Sequence, residues 1–293
     1  MRTWVPVIFL AAILAFLLPP VPALVKKKLR SRPPLLFAVP AVLGAAFCLV
    51  AWRLGAWSWP LTLLIAAYTF LPTLCIFLQG MDAGAATWLD LIVILLLWLP
   101  IELNAGARFV PRHAQGLLHT VAYGVALTLA LVLFLAYRGM KGMKFNLPTR
   151  VMDFIDPLIA YVLVAPILIG VGLTLSFLPW WHVPVNLSAL RVAKTFGLIF
   201  VATALPEELL FRSLIQNWLM QKFGSTTGVL IVAAVIFGCA HLNNGPQPLP
   251  NWRYMILATI AGYAYGKVFQ RASSASASMI LHALVDVTKH VFF

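Results

Sequence analysis

Apolar residues fill this chain in long runs, and polar residues fall into the short gaps between them. Runs of about 17 to 25 apolar residues match the hydrocarbon thickness of a bilayer, so each predicts a membrane helix. The pattern predicts ten of them, near 4–25, 34–52, 56–79, 86–103, 117–137, 157–178, 192–212, 225–242, 253–270 and 276–293. The fold class implied is all-α, a polytopic transmembrane helical bundle of about 8–10 membrane helices. No period of 20–50 residues repeats, and no interrupted helices match across two halves, which argues against an inverted-repeat transporter. The most polar interruption, RGMKGMKFNLPTRVMDF at 138–154, separates a plain first half from a second half that carries the intramembrane polar groups. The chain accordingly divides into 1–150, helices of unknown role, and 151–293, where the candidate chemistry lies.

Composition agrees with a multi-pass integral membrane protein: 62% of residues are hydrophobic and 10% charged. The net charge of +13 could point to nucleic acid, but the basic residues sit in the gaps between apolar runs rather than on a soluble face. No nucleic-acid partner is expected; the lipid bilayer is the surrounding partner. With the N-terminus outside, 13 of the 21 lysines and arginines fall on the cytoplasmic side, a positive-inside bias led by KKKLRSR at 26–32. Because that cluster directly follows the first apolar run, the run reads as a retained helix rather than a cleaved leader. Cys48, Cys75 and Cys239 lie within apolar runs without metal-ligand spacing and are expected to be buried small hydrophobes.

The chain has only eight acidic residues, yet ALPEELLFRSL at 204–214 sets Glu207 and Glu208 side by side with Arg212 nearby. A charge at the centre of a membrane helix costs about 2.5–3.5 kcal/mol, so this cluster must face protein or a water-filled cavity. Pro206 suits the first turn of a new helix, which would place both carboxylates at the positive end of its dipole. Four residues apart, Glu208 and Arg212 can pair, while Glu207 points about 100° away and is the freer carboxylate. An isolated EExxxR is as well explained by a structural salt bridge. Two further polar islands shift the balance: Phe237 and His241 as FxxxH, and His282 and Asp286 as HxxxD. If the helices on either side of Gly224 form a hairpin, Glu207 and His241 lie at equal depth, each about 25 Å from the turn at 1.5 Å per residue. His282 fits less well, being only about nine residues past the RASSAS turn.

EExxxR, FxxxH and HxxxD, in that order over about 195–290, resemble the type II CAAX prenyl endopeptidase and bacteriocin-processing group of intramembrane proteases, the CPBP or Abi family. The resemblance implies a CAAX-protease-like catalytic domain at 151–293, with the active site among the last four helices. It implies an intramembrane endopeptidase that hydrolyses a membrane-anchored protein or peptide, with Glu207, helped by His241, activating water. Glu208 and Arg212 would form the scaffold, and His282 with the residue four further on would stabilise the oxyanion. That residue is Asp286 where many relatives have asparagine, so its role stays open between a protonated acid, an orienting partner of His282 and a metal ligand. No cofactor is expected. Zinc is the weaker alternative, with His241, His282 and Glu207 as ligands, since no HExxH helix is present. The location implied is the cell (inner) membrane of a prokaryote. Two other classes compete: a transporter relaying protons through membrane carboxylates, which predicts charges spread through both halves, and a non-catalytic immunity or partner protein that keeps the fold.

Overall fold

The computed structural model describes residues 4–81, 84–245 and 247–293, and among these every regular element is helical. The chain forms two compact units, Met1–Lys141 and Gly142–Phe293.

The first unit contains α1 (Trp4–Ala15), α2 (Pro20–Ser31), α3 (Ala38–Arg53), α4 (Trp59–Gln79), α5 (Trp88–Glu102) and α6 (Arg112–Ala130). Helix α6 runs on with π geometry through Leu131–Tyr137 and packs against α1, α3 and α5. Its buried stripe Leu118, Val121, Val125 and Leu129 has the spacing of one helical face. Local chemistry sets the starts: Ser58 accepts from the Leu61 N–H ahead of α4, and Thr87 with Asp90 closes a capping box on α5. The first apolar run does not form the continuous helix expected for 4–25. It breaks between α1 and α2 with a bend of 88°, at Pro19-Pro20, where two consecutive residues have no N–H to donate.

All ten predicted segments contain helix, and the chain is a multi-pass membrane protein. Among the described residues four segments are long and apolar enough to cross a membrane individually: Pro33–Arg53, Trp59–Gln79, Arg112–Tyr137 and Met152–Thr174; the bent pair would make a fifth. The rest are shorter or more polar. Thr227–Cys239, with 13 residues, covers about 20 Å of a core about 30 Å thick.

The second unit holds α7 (Met152–Thr174) and α8 (Ala189–Ile199), from which the chain stays helical to Phe223. Along that path π-helical turns at Phe200–Ala204 and Leu209–Gln216 flank α9 (Leu205–Glu208), and α10 (Asn217–Phe223) ends it. Then follow α11 (Thr227–Cys239), α12 (Trp252–Arg271) and α13 (Ser276–Phe292). The hairpin turn falls at Gly224 as expected, with φ of 84°, a value that glycine adopts without strain. Helix α11 lies directly on α12. A Cβ at Gly238 would overlap the Thr259 side chain and sit 2.7 Å from the Met255 carbonyl, so only glycine permits this approach.

Two expectations are corrected. Pro206 does not begin a new helix: residues 200–216 keep right-handed helical backbone throughout. A proline inside a helix removes a donor and crowds the carbonyl four residues back; the π turns absorb both defects without a break. Glu207 and Glu208 therefore sit mid-path, with no helix N-terminus to favour their charge. Second, Cys239 is exposed, and Cys48 and Cys75 are partly so.

The poor depth match of His282 is resolved by where the α12–α13 turn lies. Ser274, Ala275 and Ala277 are fully buried, so α13 begins inside the unit rather than at its edge. Residues 144–153, in the polar interruption, cover that turn. Lys144 donates to the Phe269 and Gln270 carbonyls at 2.8 and 3.2 Å, and Arg150 to that of Arg271 at 2.7 Å, capping α12. Asp153 accepts from the Ser273 N–H at 2.8 Å and from its hydroxyl; the Lys144 carbonyl accepts from the Ala275 N–H at 2.8 Å. A buried turn is tolerable because its polar groups are satisfied in this way.

Candidate active site

Helix α13 packs against α7, α8, α9 and α12, and its inward face presents His282 to the residues around Pro206. His282 is the hub of the site. Its Nδ1 lies 3.0 Å from Glu208 Oε1, and its Nε2 lies 3.5 Å from Asp286 Oδ2 and 3.9 Å from Glu207 Oε2. A carboxylate can only accept, so Nδ1 carries the proton it donates to Glu208. The Tyr265 ring stacks on the imidazole at 4.7 Å and 20°, holding its plane.

Glu208 and Arg212 are fully buried and pair as the spacing predicted, Nε to Oε2 at 3.2 Å. The contact is ionic rather than a well-aligned hydrogen bond, and Nη1 and Nη2 of Arg212 meet no acceptor among the described residues. Aromatic faces stand in for part of that loss: the guanidinium lies 4.7 Å from the Phe237 ring centroid and 5.8 Å from that of Tyr265. Phe237 also meets Phe211 edge to face at 5.0 Å and His241 at 4.8 Å, so the phenylalanine of FxxxH braces both the scaffold and the histidine.

His241 ends α11. Its Nδ1 is 2.9 Å from the Phe237 carbonyl, an acceptor, so Nδ1 carries the hydrogen and neutral His241 presents Nε2 as a lone pair. That Nε2 lies 3.9 Å from Glu207 Oε2. The equal-depth expectation for Glu207 and His241 holds to contact distance. Glu207 thus faces two imidazoles at 3.9 Å each, too far for direct hydrogen bonds.

Glu207, His241, His282 and Asp286 line a cavity of about 80 Å³, room for several waters. The Glu207 and Asp286 side chains are 24% and 27% exposed, while Glu207 Oε2 itself is buried and has no hydrogen-bond partner among the described residues. The cavity walls include Leu168, Leu257, Ala258 and Val285. Glu207, His241 and His282 face a common point, yet no group of three His, Cys, Asp or Glu residues among those described is disposed to hold a metal ion.

The structure therefore gathers all six residues singled out in the sequence. It adds Tyr254, Tyr265 and Lys289, for which the sequence offered only a weak signal. Tyr254 meets His241 edge to face at 4.6 Å, and Lys289 follows Asp286 on the same helix face, three residues on. Inside apolar runs, two tyrosines look no different from ordinary membrane-helix residues.

Residues 189–288, about a third of the chain, match the family model described as type II CAAX prenyl endopeptidase Rce1-like. No curated protein and no solved structure matches the chain. The matched segment contains Glu207, Glu208, Arg212, His241, His282 and Asp286.

Proposed function

We propose that the protein is a glutamate-dependent intramembrane endopeptidase of a prokaryotic cell membrane, cutting a membrane-anchored protein or peptide. The observation that carries this reading is Glu207 Oε2 placed 3.9 Å from both His241 Nε2 and His282 Nε2, on a residue that lines a cavity. Water held between Glu207 and His241 gives a proton to Glu207 as its oxygen attacks the peptide carbonyl carbon. The carbonyl oxygen gains the negative charge and takes a hydrogen bond from Nε2–H of His282 in its imidazolium form. The C–N bond then breaks, the proton passes from Glu207 to the leaving amine, and a carboxylic acid and an amine result, the second water hydrogen staying on the new carboxyl group. Glu208 fixes the orientation of His282 through Nδ1, and Arg212 fixes Glu208. Asp286, at 3.5 Å from Nε2, orients the same ring rather than binding the oxyanion, which it would repel. No step is assigned to a metal.

A proton-relaying transporter is supported less well. Glu207, Glu208 and Asp286 gather around one histidine instead of forming a file, and Asp90 in the first unit is closed into an ion pair with Arg138. The test is cleavage of a membrane-proximal peptide by the purified protein in detergent. Glu207→Gln keeps the shape and removes the base, and is expected to lower turnover about 10²- to 10⁴-fold at unchanged folded yield. Full turnover in that variant would refute the mechanism, and no cleavage by the unaltered protein would favour the non-catalytic reading.

A further inference from the structure

The longest run of positive charge lies in the first unit, where the proposed chemistry makes no use of it. Lys26, Lys27, Lys28, Arg30 and Arg32 crowd the end of α2 and the residue after it. Basic residues beside an apolar run ordinarily hold a loop on one side of the membrane, a task that needs no fixed shape. Here they are built into a helix whose level is fixed by its neighbours. Helix α1 has 12 residues, about 18 Å, too short for a hydrocarbon core of about 30 Å, and the 88° bend turns α2 across it. Helix α2 then packs on Leu131–Tyr137, the closing turns of the span Arg112–Tyr137, and on Pro33–Phe37, the opening of the span Pro33–Arg53. The 26 residues of Arg112–Tyr137 reach about 39 Å, so the end on which α2 rests stands in the headgroup layer. Leu24, Lys27, Lys28 and Ser31 follow the i, i+3, i+4, i+7 spacing of one face, and all four are exposed, while Leu29 is buried on another side. The side chains of Lys27, Lys28 and Arg32 form no ion pair among the described residues, in contrast to Arg138, which is closed on Asp90.

We propose that α2 lies along the membrane surface and binds anionic phospholipids, with Lys27, Lys28 and Arg32 holding their phosphates. The two ammonium groups act as point charges, and the planar guanidinium can take two oxygens of one phosphodiester. Leu24 and Leu35, 56% and 44% exposed, stand on either side of the charges along the chain and offer acyl chains an apolar surface. Exposed leucines beside the lysines favour a lipid over a free phosphate, which has nothing to place on them. The charge selects among lipids: a headgroup with its own ammonium is neutral overall and meets repulsion from the lysines, whereas a net-negative phosphodiester is drawn to them. Each basic residue near such a surface is worth about fivefold in affinity, so three together are worth about 100-fold. The site belongs to the first unit and does not rest on the peptidase reading.

The test titrates the full chain in detergent with phosphatidylglycerol and with phosphatidylcholine, counting bound lipids by native mass spectrometry. Phosphatidylglycerol is expected to bind about 100-fold more tightly, and the triple change Lys27→Gln, Lys28→Gln, Arg32→Gln to bring it down to the level of phosphatidylcholine. Lys27→Arg with Lys28→Arg keeps the charge and is expected to keep the preference. Should the triple variant fold poorly, the single changes are each expected to cost about fivefold. A preference that survives loss of the charges, or none in the unaltered protein, overturns the proposal. So does full competition by glycerophosphoglycerol, the headgroup without acyl chains, which would make this a site for free phosphates. Placement is checked separately in bilayers, with nitroxides at Leu24→Cys or Ser31→Cys in a chain whose three native cysteines are replaced by serine. The two positions share a face and lie about 10.5 Å apart along the axis. Equal depths are expected for a helix lying along the surface, and depths that differ by about 10 Å would show α2 crossing the membrane and sink the idea.

Discussion

Each unit buries an arginine against a carboxylate, and the two pairs are built differently. In the first unit Arg138 grips Asp90 with two bonds, Nε to Oδ1 at 3.1 Å and Nη2 to Oδ2 at 3.0 Å, and donates further to the Gly84 and Ala85 carbonyls. Asp90 also accepts from the Thr87 N–H at 2.7 Å. Every charge there is answered, and the result is a clasp. In the second unit Arg212 touches Glu208 through Nε alone, leaves two nitrogens against aromatic faces, and lets Glu208 Oε1 go to His282. The difference teaches how to tell the two kinds of buried pair apart: a closed pair holds structure, and an open one passes its hold to a third group.

The largest effects should come from breaking the pairs. Removing one partner of a buried ion pair costs about 3–5 kcal/mol, so Arg138→Ala and Arg212→Ala should both reduce folded yield and thermal stability. Their activities should part company: folded Arg138→Ala is expected to keep its turnover per molecule, while folded Arg212→Ala loses it with Glu208 misplaced. Equal turnover in the two would erase the distinction. In a double-mutant cycle Glu208→Ala with Arg212→Ala should be milder than the sum of the singles; additivity would mean they do not interact and would return Glu208 to the candidate bases.

A smaller effect is expected from Asp286→Asn. Asparagine keeps an acceptor four residues from His282, so an orienting role predicts a loss of kcat within about tenfold and little change in KM. A loss as large as that of Glu207→Gln would make Asp286 a participant in the chemistry. The smallest expected effect is none: dialysis against a strong chelator should leave peptide cleavage unchanged. Loss of activity restored by zinc alone would turn Glu207, His241 and His282 into ligands.

The membrane character, the hairpin at Gly224, the Glu208–Arg212 pair and the level placement of Glu207 with His241 were legible in the chain because each follows from short-range periodicity: 3.6 residues per turn, 1.5 Å per residue, the cost of charge in lipid. Pro206 misled because propensity treats an internal proline as a start or a stop, whereas packing on both sides let π turns carry the helix through. The first run misled in the opposite sense, since Pro19-Pro20 broke a stretch whose hydrophobicity alone read as continuous.

What the amino-acid order determined by itself is the set of reactive groups and their spacing within each helix. What only the tertiary structure decided is the relation between helices: that the α12–α13 turn is buried under residues 144–153 and brings His282 to Glu208, and that Lys289 and Tyr254 join the same cavity. The reason is physical. Depth along a helix can be counted from a turn only when the turn lies at the surface, and whether a polar turn can be buried depends on distant donors and acceptors that no local pattern contains.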